Sequence, residues 1–503
     1  MIRTRKALAL GVFAFAASLV PSAHANGRFP RAERLLEGGG DPQNLVLAAT
    51  YGILITNDRG TEWQHICELG FAFGNAEIDP VLGVFSDGSM IVRGIRSLNR
   101  AEAPYCAFSP VLGTEGSDTV ADFSLDATTP DRVLALVMER GDGAVTVNRL
   151  YESLDAGRTF APFGEPLPDA DVSFGITLDV APSDPARLYA TALGREEGSV
   201  FARSNDAGES WSILPLSLEG EEYPYIAAVD RTNAGAVYVR TDFWSNVAGA
   251  FTANDALFYS DDAGESFREV IRQPAKLLGF ALSPDGGEVL VGYGDPVDPA
   301  RFVDSTVLGL YRASTTDFRF SKIYEGSVSC LAWTETGLYV CTPQNERGFA
   351  LGFAPSAEFD LSVTEPLTPL LDLRTVRPLD CPACSSTAEC NESWATTCAL
   401  FESCDAGVGG GNSGRTDCAG AGGASIAGGG SAATSGAANA GSANGRSHAD
   451  KDASCGCRSS PRDRNETSLV ALGALSLMLW RRSNATRRTS TRTSACDEAR
   501  RRL

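Results

Sequence analysis

Carboxylates are the most numerous groups in this chain that could do chemistry, with 63 Asp and Glu against 43 Lys and Arg. Asp122, Asp179 and Asp230 fall at comparable places in successive stretches of sequence. If they line a common channel they form an acidic mouth. Two such carboxylates, roughly 5 to 9.5 Å apart, can act as acid and as base or nucleophile in glycoside hydrolysis. The plainer reading sets them in turns or against backbone amides. Other chemistries lack their parts. The histidines are His24, His65 and His448, too few and too scattered for a Ser-His pair or a histidine zinc site, and His65 reads as a strand-surface residue. No catalytic, cofactor-binding or metal-ligating residue is therefore assigned. Calcium is the one cofactor this acidity would admit.

The 13 cysteines read as a disulfide inventory. Cys330 and Cys341 flank a hairpin with its turn near residues 335–337 and should face each other. Cys67 and Cys106 are expected to pair. Cys381, Cys384, Cys390, Cys398 and Cys404, with Cys418 as a sixth member, are expected to form a compact knot of open connectivity. Cys381-x-x-Cys384 also has zinc-ribbon or thiol-exchange spacing, but four neighbouring cysteines favour structural disulfides.

The elements that must position these residues are announced by a recurring octet. It runs from Thr56 through Asp58 and Gly60 to Trp63, and returns as Ser153, Asp155, Gly157 and Phe160. Further copies are Ser204, Asp206, Gly208 and Trp211, then Ser260, Asp262, Gly264 and Phe267. Each follows an apolar run and ends in an aromatic residue, the layout of strand, tight turn and second strand. Hydroxyl and carboxylate can bind the turn's own backbone, glycine permits positive φ, and the aromatic packs beneath. Successive copies stand 51 and 56 residues apart, and the 97 residues from Thr56 to Ser153 leave room for a second unit. Ser97 to Arg100 reads as a worn copy in that gap, and Ala313 to Asp317 as another. Branched and aromatic runs such as Val133 to Val137 and Leu188 to Ala192 supply the intervening strands. The expected fold is an all-β propeller of four-stranded antiparallel blades over 26–379, with a count of seven and with six or eight also compatible; the competing reading is an open solenoid of antiparallel sheets or two sandwiches.

The remaining segments are read by composition. Residues 1–25, with Arg3, Arg5 and Lys6 before an apolar run and Ala23-His24-Ala25 at its end, form a signal peptide. Residues 380–418 are the cysteine-rich segment. Residues 419–453 are a Gly/Ala/Ser linker of about 35 Å reach by the random-chain estimate. Residues 454–503 carry Cys455 and Cys457, a hydrophobic helix over 469–480 and an arginine cluster. Between signal peptide and Arg458 the net charge is -30, which repels nucleic acid and anionic lipid.

The octet resembles the Asp box, or BNR repeat, of sialidase-like propellers. The tail resembles a myxobacterial C-terminal sorting signal. The first resemblance implies Asp boxes at the blade rim, away from any active centre. It also implies a family of mixed function, spanning sialidases, other glycan-cleaving hydrolases, receptors and non-catalytic assembly factors. The second implies export, processing at Cys455 or Cys457, and retention at the cell surface with a membrane helix. A sialidase-like site would need three converging arginines. Arg93, Arg96, Arg203, Arg240 and Arg312 are available without any motif that joins them. The leading functional reading is a non-enzymatic surface module for a glycan, envelope polymer or protein, with Trp244 and Phe251 in the long loop 242–256 as contacts. The alternative is a glycoside hydrolase using channel carboxylates.

Overall fold

The computed structural model describes residues 31–382 and 390, apart from 72–79, 95, 114–117, 141–145, 197, 217, 219–221, 244, 248–249, 296–303 and 360–364. Its second strands show why the sequence runs are apolar without alternation. Val133 to Val137 are all buried, as are Leu188 to Ala192 and Val289 to Tyr293. A strand covered on both faces must be apolar at consecutive positions, and each of these is covered by a neighbouring sheet on either side.

Those sheets are seven four-stranded antiparallel blades. Their first strands are Ala32–Gly38 in blade I, Val81–Val84 in II, Thr119–Leu125 in III and Val172–Val180 in IV, followed by Glu222–Val229 in V, Lys276–Leu282 in VI and Cys330–Thr334 in VII. First strands touch one another between blades I and II, III and IV, IV and V, VI and VII, and VII and I, and they form the inner wall of the ring. The buried apolar side chains divide into clusters that each lie between two consecutive blades. The side-chain period of two sends Leu45 and Leu47 towards blade VII, and Val46 and Ala48 towards blade II. The cluster joining blade VII to blade I contains Leu45, Tyr339 and Leu351, and it closes the circle. The Ser329 hydroxyl donates to Ala32 O at 2.8 Å across the same seam. Closure covers the apolar faces that the two terminal blades of an open stack would leave exposed.

The four octets are the turns between third and fourth strands of blades I, III, IV and V. In each, the hydroxyl donates to the aspartate at 2.7 to 2.8 Å and accepts the glycine N–H at 2.8 to 3.1 Å. Oδ1 accepts the N–H four residues on at 2.9 to 3.0 Å. Two consecutive left-handed residues end the turn, as at Ala263 (φ 60°) and Gly264 (φ 86°). A Cβ on Gly264 would lie 2.3 Å from the Phe201 ring. The aromatic leans on the preceding blade, and Trp63 Nε1 donates to Leu370 O at 3.1 Å. Ser97 to Arg100 is not a worn copy, since Ser97–Ala101 is the third strand itself.

Cysteine pairing differs from expectation. Cys330 and Cys341 are bonded as cross-strand partners. Cys67 and Cys106 do not pair with each other: Cys67 bonds Cys390 and Cys106 bonds Cys381. The segment after blade VII is thus a clasp and not a self-contained knot. It begins where Arg377–Pro378 adds a fifth, parallel strand outside blade I, and Leu379 N–H donates to His65 O at 2.9 Å. His65 is buried (1% exposed) against Tyr51, with ring centroids 4.9 Å apart, and is not a surface residue. Burial drives its pKa down to about 4.

No helix among the described residues is long and apolar enough to cross a membrane. The membrane helix and C-terminal anchoring expected from the tail are therefore withdrawn, together with the sorting partners they implied. The signal peptide, the linker, the 469–480 segment and Cys384, Cys398, Cys404, Cys418, Cys455 and Cys457 lie outside the described residues.

Candidate functional site in the central channel

A first strand has one edge towards the channel, and that edge presents backbone groups no strand pairs. Buried backbone polar groups need partners. Here the preceding blade supplies them. Asp122 Oδ2 accepts Leu178 N–H at 3.1 Å, and Ser124 Oγ accepts Val180 N–H at 3.2 Å, both from blade III to blade IV. Thr177 Oγ1 accepts Ile226 N–H at 3.1 Å, from IV to V. The Arg93 guanidinium donates to Ala121 O from II to III, and that of Arg240 to Leu277 O at 3.4 Å from V to VI.

Within this girdle Asp122 and Asp179 occupy neighbouring blades. Burial raises the pKa of Asp122, opposed by Arg93 and by the Leu178 amide. Asp179 is pushed up to about 8, first by burial and then by the Asp122 charge, with Arg34 pulling the other way. Among the described residues its side chain accepts from the Ser124 hydroxyl at 3.5 Å, too long to hold a carboxylate firmly. Both carboxyl groups are thus raised, Asp179 to about 8, while at Asp122 a guanidinium and an amide oppose the rise. A carboxyl group whose surroundings hold it protonated can serve as a general acid. Asp230 does not join them. Its Oδ1 accepts Thr232 and Asn233 N–H at 2.8 and 3.0 Å in the turn after the first strand of blade V, as Asp126 does with Thr128 and Thr129 in blade III.

The arginines named from sequence divide likewise. Arg203 pairs with Glu265 at 2.7 Å and Arg312 with Glu288 at 2.6 Å, whereas Arg93 and Arg240 reach the inner wall. Arg240 also lies over the Tyr225 ring, 4.8 Å from its centroid. Arg34 reaches the carboxylate pair electrostatically; no motif marks it in the sequence.

The long loop of blade V carries a hairpin, Ser245–Val247 paired with Ala250–Thr252. Phe251 is on its second strand, and Trp244 lies outside the described residues. The loop is rooted in a charge cluster that sequence reasoning missed. Lys276 is 2% exposed and Asp255 1%. The ammonium bonds Asp242, Asp255 at 3.3 Å and Phe243 O at 2.7 Å. Asp255 accepts Phe243 and Leu277 N–H at 2.8 and 2.9 Å. Burial lifts Asp255 to about 6 against the pull of Lys276. This arrangement anchors the loop, because its polar groups are spent on one another. Among the described residues no group of three or more His, Cys, Asp or Glu is arranged to hold a metal ion, calcium included.

No protein-family model matches the chain, and no curated protein does. The resemblance to sialidase-like Asp-box propellers is accordingly corrected: the turns stand on their own geometry, without that family. Solved structures similar to the chain include an ancestral GH74 enzyme, at 12% identity and TM-score 0.49, over 68% of this chain and 46% of that one. The GH74 enzyme of Niastella koreensis is 16% identical, with TM-score 0.36 over 53% and 42%. Oligogalacturonate lyase from Vibrio parahaemolyticus is 10% identical, with TM-score 0.42 over 62% and 88%. The chain spans less than half the length of the two GH74 enzymes. Likenesses this remote carry no argument about chemistry.

Proposed function

We propose that the protein handles a glycan at the central channel, with Asp179 as general acid and Asp122 as its charged partner in glycoside hydrolysis. The observation that carries this reading is the placing of two carboxyl groups on adjacent inner strands, where burial raises both and the Asp122 charge adds to the rise at Asp179. A donor that stays protonated at neutral pH is what departure of a sugar oxygen requires, and an adjacent carboxylate can steady the positive charge that develops on the ring. Three disulfides support an exported protein, where extracellular polymers would be met.

A second reading, a ring that binds glycan without cleaving it, is favoured by one specific contact. Asp122 Oδ2 already accepts the Leu178 amide, a structural duty that a purely binding protein would share. A panel of soluble glycans offered to the full chain, scored for turnover and retention, separates the two. Hydrolysis predicts turnover that declines as pH rises through about 8, the Asp179 value, and that falls about 100-fold or more in Asp179→Asn with binding kept. Retention without turnover in the native protein selects the binding ring, and neither outcome removes the glycan reading.

A further inference from the structure

Four large apolar side chains stand out as exposed among the described residues: Leu69, Leu154, Phe174 and Tyr223. Two of them share one place. Phe174 pairs with Leu193 and Tyr223 with Asp242, and each partner lies five residues beyond the one facing the last inner-strand residue, Leu188 opposite Val180 and Val237 opposite Val229. Each inner strand absorbs one register shift in between, so the two positions coincide in height. Both stand near the start of an inner strand, at the channel mouth opposite the Asp/Gly turns. They are 50% and 43% exposed, whereas Phe123 of the neighbouring inner strand is buried.

We propose that Phe174 and Tyr223 form a stacking platform for the terminal sugar rings of a linear glycan entering the channel end first. The proposal rests on the glycan reading above and deepens it. Aromatic faces pair with the C–H faces of sugar rings while the surrounding polar groups take the hydroxyls. Those polar groups are on hand: the Tyr223 hydroxyl, and Arg240 stacked on Tyr225 two residues further in. A protein partner needs on the order of 1,000 Å² of buried surface, which two rings on a channel rim do not offer. Because the apolar seams between blades close the ring, a polymer can reach the inner wall only along the axis. Phe174 faces Leu193 and Asp179 faces Tyr189, four residues apart, so the two are separated by about 13 Å along the strand at about 3.3 Å per residue, the length of a short oligosaccharide. The platform therefore selects chain ends over internal segments.

The test is calorimetric titration of the full chain with cello-, chito- and oligogalacturonide hexasaccharides. At least one is expected to bind, with about tenfold weaker affinity in Phe174→Ala and in Tyr223→Ala, and recovery in Phe174→Trp. Tenfold corresponds to about 1.4 kcal/mol per ring. Both side chains are exposed, so unchanged melting temperatures should accompany the loss. Unaltered affinity in the double alanine variant overturns the platform and leaves the glycan reading intact. Failure of all three sugars to bind the native chain overturns both.

Discussion

Two sets of aspartates in one ring titrate in opposite directions. In the outer turns, Asp206 and Asp262 are held below the usual carboxylate range by hydrogen bonds from Ser210 and Ser266, side chain and backbone. Asp155, against an opposing pull from burial, is drawn to about 2 by Thr159, Ser153 and the Arg158 amide. In the channel, burial and a neighbouring carboxylate push Asp179 to about 8. The residue type is the same. What differs is who supplies the partner: the turn's own next four residues in one case, and another blade some 56 residues away in the other. Aspartates that answer to their own turn make architecture. Those that answer to another blade are free to be tuned.

The comparison breaks most sharply at the turn glycines. Gly264→Ala forces a Cβ into the Phe201 ring at positive φ, and should cost about 2 to 4 kcal/mol in denaturant melts. Asp122→Leu leaves the Leu178 amide unpaired between blades and should cost about 1 to 3 kcal/mol. Ser204→Ala strips one turn of a hydroxyl that both donates and accepts. A loss of about 1 kcal/mol, as for a lost helix cap, is expected; a larger loss than for Asp122→Leu would reverse the ranking of inter-blade over local ties.

The smallest effects lie in the pH dependence of the melt, and there the signs differ. Asp155 binds fewer protons folded than unfolded between about pH 4 and its folded value of about 2. Its stabilisation is complete above that window and is lost as pH falls through it. Asp179 binds more protons folded than unfolded from about pH 4 up to about 8. Stability therefore declines as pH rises across that range. Asp155→Asn should flatten the acid limb and Asp179→Asn the alkaline limb. Melting curves from pH 2.5 to 9 that respond to neither change would dissolve the contrast.

The ring was legible because four of the seven blades repeat a turn whose hydrogen bonds stay within a few residues. The number of blades followed from the spacing of those turns and the apolar runs between them. Cys330 and Cys341 sit either side of one hairpin, so their facing is a local matter. The partners of Cys67 and Cys106 lie more than 270 residues onward, and spacing carries no information about such pairs. Likewise, nothing in the residues around Lys276, Arg34 or His65 tells which blade will cover them. Phe174 and Tyr223 look like ordinary strand aromatics until the register sets them side by side.

The clasp bears on how the molecule carries force. Cys67 and Cys390 enclose a loop of 323 residues, so nearly the whole circle is spanned by one covalent link. A pull applied beyond residue 390 passes through sulfur into blade I without loading the seam between blades VII and I. The circle is a covalently closed hoop, and tension on its trailing end should meet sulfur before it meets the hydrogen bonds that hold the wall.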